Sequence, residues 1–300
     1  MSTEEIGHPG AERFRRKRGR DMLVALSHSP AGMAGAFIIL VVIVCAIAAP
    51  WIAPHDPKQH ELRSRFQAPM WAEGGDARYI LGTDQLGRGI LTRIIYGSRI
   101  SVLVGISSVA ISGTVGMILG LLSGYYGGLV DILLMRIADA FLGIPFIIMV
   151  IAVAGLVGGG LLTVIVILGL TGWVAYSRVV RSKTLSVREQ EYVLAARALG
   201  RRKAWILLRH VAPNVLDSVI VLATLEIARI ILAESTLSFL GLGVQPPTVT
   251  WGLMLADGRD HVGSAWWMTT FPGLAITITV LGVVLLGDWL RDVLDPRLRH

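Results

Sequence analysis

The chain has 300 residues, of which 53% are hydrophobic and only 16% are charged. Soluble domains usually carry about 25% charged residues, so the composition excludes an ordinary soluble enzyme and indicates a polytopic membrane protein. The single cysteine, Cys45, excludes an intramolecular disulfide and a cysteine-based zinc site. The net charge of +7 carries meaning mainly through its placement along the chain.

Long apolar stretches predict six transmembrane helices, and therefore an all-α membrane protein. A helix needs about 20 apolar residues to cross the hydrocarbon layer, because lipid cannot satisfy backbone polar groups. The triplet Gly158-Gly159-Gly160 divides one stretch that is too long for a single helix. The predicted spans are residues 32–53, 100–128, 132–157, 161–177, 215–237 and 262–287.

Basic residues cluster in three segments, which we predict to lie on the cytoplasmic side. These are the tail 1–31, the loop 178–213 and the tail 291–300, which together hold most of the Lys and Arg residues. Because cytoplasmic segments carry the excess of positive charge, we expect both termini in the cytoplasm and the loop 54–99 outside the cell. The remaining five helices form a core over 100–290. The charge is thus a topology signal, and we do not expect nucleic-acid binding.

The sequence lacks the motifs of common nucleotide and catalytic sites. No lysine follows a glycine, so a P-loop is absent, and neither a G-x-S-x-G elbow nor an H-E-x-x-H helix occurs. We interpret His210 and His261 as surface or packing histidines. Asp257, Asp260 and His261 could together hold a cation, but so few ligands do not predict a metal site. We therefore predict a protein that is not an enzyme, with no catalytic residue, metal or cofactor.

The loop 178–213 has the composition of two short helices. LSVREQEYVLAARALG contains good helix formers up to Ala198 and ends in Gly200, a typical helix stop. RRKAWILLRHVAPN presents a second apolar face and reaches Pro213, which begins the fifth span. The segment therefore predicts a compact knob that stands out of the membrane. By composition alone, it could equally be a basic amphipathic segment lying on anionic lipid.

The amino-acid sequence of this loop resembles a signature of permease subunits in ABC importers. That signature is E-A-A-x-x-x-G, nine further residues, and I-x-L-P, and the loop keeps its spacing. Leu194 stands in the glutamate position, and Glu191 lies three residues upstream on the same helix face, where it can partly substitute. The resemblance implies that the loop contacts an ATPase through Glu191, Leu194, Ala195, Ala196, Gly200 and Pro213.

Three further stretches resemble the second, C-type permease of the dipeptide, oligopeptide and nickel importers. They are LGTDQLGRGILTRIIYGSRISV (81–102), ESTLSFLGLGVQPPTVTWGLMLADGRD (234–260) and LGDWLRDVLDPRLR (286–299). The usual form of the first is L-G-T-D-x-x-G-R-D, in which Gly89 here replaces the final acid. The resemblance covers most of the chain from about Leu81 onward.

The resemblance implies a type I ABC importer permease fold in the bacterial cytoplasmic membrane. It also implies a heterodimer with a homologous permease, two cytoplasmic ATPase subunits that bind the ATP, and an extracytoplasmic solute-binding protein. The implied solutes are di- or oligopeptides, with nickel, glutathione or an opine as alternatives. A secondary transporter is the second hypothesis, although such proteins normally show an inverted repeat, whereas the two halves here differ. A lipid-modifying enzyme comes third, because candidate catalytic pairs are absent.

Two kinds of residue stand out inside the predicted spans: charged residues and regularly spaced small residues. Charged residues within a membrane span point to a solute path or gate, with a structural ion pair as the alternative. The residues concerned are Arg136, Asp139, Glu226, Arg229 and Glu234, of which the first two and the next two are spaced to pair on one helix face. Small residues also recur every fourth position and predict close helix packing; they are Ser108, Ser112, Gly116, Gly120, Gly124 and Gly128.

Overall fold

The computed structural model describes residues 22, 24–57 and 59–294, and this part of the chain is helical without a β-strand. The predicted all-α class is therefore confirmed. Residues 1–21 of the predicted tail 1–31, and residues 295–300 of the predicted tail 291–300, lie outside the described residues.

The α-helices follow one another as α1 (Pro30–Ile52), α2 (Ile90–Tyr126), α3 (Gly128–Leu142), α4 (Phe146–Val157), α5 (Leu161–Thr171), α6 (Trp173–Val187), α7 (Glu191–Ala198), α8 (Lys203–Ile206), α9 (Ala212–Phe239), α10 (Trp251–Gly258) and α11 (Trp267–Leu294). Short 3₁₀ turns lie at Leu62–Ser64 and Arg259–His261. A π-helical turn, Leu207–Val211, joins α8 to α9.

Four of these segments are long and apolar enough to cross a membrane: α1, α2, the joined pair α5–α6 (Leu161–Val187) and α11. The bent pair α3–α4 would make a fifth. The predicted fifth span corresponds to α9, whose 28 residues reach about 42 Å at 1.5 Å per residue. Its length suits a span, but its charged residues keep it outside the purely apolar group.

Several helices differ in length from the predicted spans. α2 begins at Ile90, so the last part of the expected loop 54–99 is helical. α6 continues to Val187, so the first part of the expected loop 178–213 is helical as well. α11 begins at Trp267, because residues 259–266 form turns, and it continues to Leu294. Hydrophobicity marked the stretch that lipid can cover, whereas these helices continue into polar sequence.

The predicted third span, 132–157, is not one helix. α3 and α4 meet at an angle of 85°, and the break falls at Gly143-Ile144-Pro145. Proline lacks a backbone N–H and disfavours helical geometry in the residue before it, so a helix ends here. The break predicted at the glycine triplet is confirmed, because Gly158 and Gly160 have φ angles of 93° and 152°, which other residues rarely adopt.

α2 lies at the centre of the fold and packs most closely on α6. A Cβ added to Gly116, Gly120 or Gly124 would lie only 2.4–2.8 Å from atoms of α6. The predicted small-residue packing is thus confirmed along this part of α2. The packing prediction is wrong for Gly128, which begins α3 and where a Cβ would meet nothing within 4 Å. The adjoining core, formed by α2, α5, α6 and α9, includes Val104, Leu168, Tyr176, Ile230 and Leu237.

Candidate coupling and translocation site

The predicted knob, which we define as residues 188–211, is formed by α7, a glycine turn, α8 and the π-helical turn. Gly200 has a φ of +72° and ends α7, and the N–H of Arg201 donates to the carbonyl of Ala196 at 3.2 Å. Such a left-handed residue after a helix satisfies its last carbonyl groups, and glycine adopts it without strain. Pro213 lies in the first turn of α9. The predicted helix–glycine–helix pattern and the position of the proline are both confirmed.

One side of the knob is fastened to the rest of the protein. Val193, Ile206 and Val211 are fully buried, in a cluster with Leu121 of α2 and Val180 of α6. Because interiors of this kind are close-packed, we expect a displacement of the knob to shift both helices. The cluster therefore joins the knob mechanically to two membrane helices.

The other side of the knob presents apolar side chains to the surroundings. Leu199 is 81% exposed and Leu208 is 70% exposed. Glu191, Leu194 and Ala195 are exposed on one face of α7. Ala196, which we expected on the same docking surface, is buried and faces the core. Large apolar side chains exposed outside the apolar spans are typical of a surface that contacts another protein.

Aromatic side chains hold the two halves of the knob together. The rings of Trp205 and His210 lie 5.0 Å apart, and Tyr192 of α7 lies 5.9 Å from the same histidine. The guanidinium group of Arg201 lies 5.0 Å above the Trp205 ring, close enough for a cation–π interaction. His210 is therefore a packing histidine, as predicted.

The charged residues of α9 pair as their spacing predicted. Nη1 of Arg229 donates to both carboxylate oxygens of Glu226 at 3.5 Å, and its guanidinium group lies 4.0 Å from the ring centre of Phe146, beside the α3–α4 bend. The Glu226 side chain is nearly buried, whereas 44% of the Arg229 side chain is accessible. The pair thus presents a cation at the surface of the isolated subunit.

The predicted pairing of Arg136 with Asp139 is wrong. Asp139 accepts a 2.5 Å hydrogen bond from Arg178 of α6, while Arg136 is exposed. Arg181 forms a second bridge between these helices, with hydrogen bonds of 2.5 and 2.6 Å to Asp131. Spacing alone missed these partners, because they are distant in sequence. Met135, Asp139, Arg178 and Arg181 line an open cavity of about 400 Å³.

Glu234 lies inside the protein, with no exposed surface. The Ser238 hydroxyl donates a 2.7 Å hydrogen bond to its carboxylate and accepts one from the N–H of Val244 at 3.2 Å. This chain of bonds fastens the turn that follows α9 to the helix itself. Glu234 does not meet the other charged residues predicted for a path.

A group of charges that sequence reasoning missed lies where α2 begins. We call Asp84, Arg88, Arg93 and Asp257 the charge network. Asp84 is fully buried and accepts hydrogen bonds from Arg88 Nε at 2.7 Å and Arg93 Nη1 at 2.6 Å. Asp257 of α10 accepts from Arg93 at 3.0 Å and from Arg88 at 3.4 Å. The T-D-x-x-G-R stretch was noticed only for its resemblance to a permease family, and nothing in it pointed to the partner on α10.

The three residues considered for a cation are not brought together. Asp257 belongs to the charge network, Asp260 pairs with Arg259 at 3.1 Å, and the His261 ring packs 4.7 Å from that of Phe66. Each has a local partner, so the structure gives no support to a shared cation site at these positions.

Comparison with known proteins agrees with these features. Residues 116–300 match the family described as the binding-protein-dependent transport system inner membrane component, and residues 17–69 match the N-terminal TM domain of oligopeptide transport permease C. The chain is 40% identical over 276 residues to the di/tripeptide transport system permease protein DppC of Pseudomonas aeruginosa, covering 92% of this chain and 91% of the relative.

Two further relatives show the same similarity over most of their length. The dipeptide transport system permease protein DppC of Bacillus subtilis is 40% identical, over 92% of this chain and 84% of its own. The probable D,D-dipeptide transport system permease protein DdpC of Escherichia coli is 37% identical, over 99% and 98%.

Proposed function

Because the chain belongs to the family of binding-protein-dependent transport system inner membrane components, we propose that it is a permease subunit of an ATP-driven ABC importer for di- or oligopeptides. It is a multi-pass inner membrane protein of a permease family, and not an enzyme of the membrane. The observation that carries the proposal is the knob, whose exposed leucines offer a docking surface and whose buried side joins two membrane helices.

The peptide substrate is inferred from the relatives, which are named as transporters of dipeptides or di- and tripeptides. Their similarity extends over nearly the whole chain, including the spans that would line a path. Nickel, glutathione and opines are the alternatives within the same transporter class. The ligand retained by the cognate solute-binding protein, identified by mass spectrometry, tests this part. A peptide supports it, and one of the alternative solutes contradicts it.

The proposed assembly contains a second, homologous permease, two cytoplasmic ATPase subunits and an extracytoplasmic solute-binding protein, and it sits in membrane lipid. Nucleotide binding is left to the ATPases. We assign the exposed face of the knob, with Glu191, Leu194, Ala195, Gly200 and Leu199, to an ATPase groove. Ala196 packs behind this surface in the buried cluster, and Pro213 lies in the first turn of α9, which follows the knob. ATPase closure would push the knob and, through Val193 and Ile206, tilt α2 and α6 between inward-open and outward-open states.

The proposed topology has six spans, with the bent pair α3–α4 and the helix α9 completing the purely apolar ones, and with both termini in the cytoplasm. The basic knob then lies on the cytoplasmic side, as the distribution of positive charge favours. Cysteine reporters at Asp76 and His261 are expected to react with an impermeant reagent from outside, and one at Lys203 is not. Labelling of Lys203→Cys in intact cells would contradict six spans.

The proposed solute path runs beside the charges that α3, α6 and α9 expose within the membrane. Asp139 and Arg178 line the 400 Å³ cavity, Arg136 lies on the same helix as Asp139, and Arg229 lies against Phe146 beside the α3–α4 bend. Groups of both signs suit a peptide zwitterion, because each terminus finds an opposite charge. Glu234 is assigned to the gate, since it fixes the turn after α9.

The proposed ATPase contact is tested by affinity isolation of the chain from membranes. We expect the wild-type subunit to bring down both ATPases. Leu199→Asp, on the exposed knob, is expected to lose them, because a charge enters an apolar contact. Leu62→Asp is the matched control, since Leu62 is 64% exposed and lies at the end of the molecule opposite the knob. This variant should retain both ATPases. A wild-type subunit isolated without an ATPase would contradict the function.

A further inference from the structure

Three exposed tryptophans lie at the end of the molecule opposite the knob, whose own Trp205 is 42% exposed. Trp51 lies in the last turn of α1 and is 80% exposed, Trp71 lies in the loop 54–89 and is 59% exposed, and Trp266 immediately precedes α11 and is 43% exposed. Met70, beside Trp71, is 49% exposed. Tryptophan is enriched where the hydrocarbon layer meets the headgroups, because its ring is apolar and its N–H is polar.

The Trp71 ring is continuous with a surface of α11. Its edge packs on Phe271 at a centroid distance of 6.0 Å, and Phe271 lies 5.7 Å from Trp266. Phe271 in turn heads a stripe of exposed apolar residues that the helical period places on one face of α11; these are Leu274, Ile278 and Leu281. Because α11 is a membrane span, this stripe faces the surroundings of the bundle within the bilayer, and Trp71 extends it into the loop.

The depth of these rings follows from the length of α11. A hydrocarbon layer of about 30 Å takes about 20 helical residues. The charged end of α11 begins at Asp288, so the uncharged part above it ends near Trp266 and Phe271. The rings of Trp266, Phe271 and Trp71 therefore lie at the level where lipid tails meet headgroups.

The opposite side of the same loop is bonded to the protein. Gln67 and Thr83 exchange hydrogen bonds through their backbones and the threonine hydroxyl, at 2.9–3.0 Å. The Met70 N–H donates to the Ile80 carbonyl at 3.2 Å, and the Trp267 indole donates to the Thr83 carbonyl at 2.9 Å. Met70 and Trp71 are thus held outward by a structured loop.

We propose that Met70 and Trp71 insert into the headgroup region of the bilayer and anchor the loop 54–89 to lipid. Lipid is the occupant that the geometry favours, because the two side chains continue the lipid-level stripe of α11. The anchor would keep the loop in place beside the charge network while the helices tilt beneath it. This role is separate from solute passage and from ATPase docking.

The test uses the assembled importer in lipid nanodiscs, with Cys45→Ala removing the native thiol. A nitroxide label is attached at Trp71→Cys or, in a second variant that keeps the tryptophan, at Met70→Cys. Ala77→Cys, exposed on the same loop, is the matched control. Electron paramagnetic resonance then measures collisions with oxygen, which concentrates in lipid, and with a water-soluble nickel chelate. The readout does not depend on which side of the membrane the loop occupies.

We expect the oxygen-to-nickel ratio at positions 70 and 71 to exceed that at position 77 several-fold, with no change when loaded solute-binding protein is added. A ratio equal to that of position 77 would place the two side chains in water and overturn the anchor. Low accessibility to both reagents would mean that a protein covers the site. Protection that arises only with the solute-binding protein would make this a protein-docking surface, which also contradicts the proposal.

Discussion

Arg93 and Asp257 lie 164 positions apart in the chain, yet Nη2 of the arginine donates a 3.0 Å hydrogen bond to the aspartate. The same guanidinium group bonds Asp84, and both side chains of this second pair are almost completely buried. The charge network therefore joins the loop 54–89, the first turn of α2 and α10. Two acids and two bases balance one another, so the group can be buried without excess charge.

Removing Arg93 leaves two acids, Asp84 and Asp257, with Arg88 as their one remaining base in the network, so a buried negative charge is no longer compensated. We expect Arg93→Met to lower the free energy of unfolding by about 3–5 kcal/mol, the usual cost of breaking a buried ion pair. The measurement is the thermal midpoint of the purified complex, together with its yield from membranes. Arg99→Met is the matched control, since Arg99 lies on the same helix and is exposed. Equal midpoints for the two variants would show that the network is not a structural support.

Coupling is expected to depend on the backbone conformation of Gly200. A side chain would meet no atom within 4 Å, so the effect of substitution comes from the φ of +72°. Valine is strained there by about 1–2 kcal/mol, whereas asparagine tolerates the left-handed region. Gly200→Val should lower transport and abolish stimulation of ATP hydrolysis by loaded solute-binding protein, and Gly200→Asn should retain most of both. Normal transport by the valine variant would exclude the proposed turn from coupling.

Substitution of Gly120 should disrupt helix packing and therefore assembly, and should not act on transport directly. An added Cβ would lie 2.6 Å from the Ser177 carbonyl oxygen and 2.7 Å from Val180 Cβ, which forces α2 and α6 apart. Gly120→Ala is expected to cost about 1–3 kcal/mol and to reduce the amount of assembled complex, measured by gel filtration. Gly105→Ala on the same helix is the control, because its Cβ would lie 3.4 Å from the nearest atom. Similar yields of both variants would argue against close α2–α6 packing.

The Glu226–Arg229 pair allows a structural role to be separated from a role in the path. Glu226→Leu leaves Arg229 without its carboxylate, so we expect a severe loss of assembled complex. The double variant with Arg229→Leu removes both charges and should recover most of the assembly. Uptake by the double variant then decides the role. Recovered uptake means that the two charges form a structural ion pair. Normal assembly with no uptake assigns them to the solute path.

Acid is expected to loosen the loop 54–89. A hydrogen bond from Tyr79 at 2.5 Å is the main cause that lowers the pKa of Glu61 below its ordinary value of 4.5, with Ser64 and Arg78 contributing further. Since the folded pKa is the lower one, this stabilisation is complete above about pH 4.5 and is lost as the pH falls through the folded value.

Hydrogen exchange of the loop, corrected for intrinsic rates, should therefore rise below that pH in the wild-type complex. Glu61→Gln should exchange faster at neutral pH and lose most of the change on acidification. Arg78 and Asp76 form a neighbouring ion pair at 2.8 Å that remains in this variant. An unaltered acid response in Glu61→Gln would assign the loosening to another group.

The local features of this fold could be predicted from the sequence. The glycine triplet, the helix–glycine–helix knob and Pro213 are each specified by neighbouring residues, and all three occur as predicted. The bend at Pro145 also had a local signal, which the apolar run concealed. Asp139 and Arg178, or Arg93 and Asp257, meet only when distant helices pack, so helical spacing could not identify them. For the same reason the predicted start of α2 was too late. Arg93 is charged, and its burial within the helix depends on the acidic partners that distant segments supply.

ATP dependence of solute uptake tests the central claim most directly. Proteoliposomes containing this chain, the second permease and both ATPases would be given a radiolabelled dipeptide and the solute-binding protein. The account predicts uptake that requires ATP and the binding protein, continues when ionophores collapse all ion gradients, and falls sharply with Gly200→Val. Uptake that proceeds without ATP and stops when the gradients collapse would contradict it, and would identify a secondary transporter.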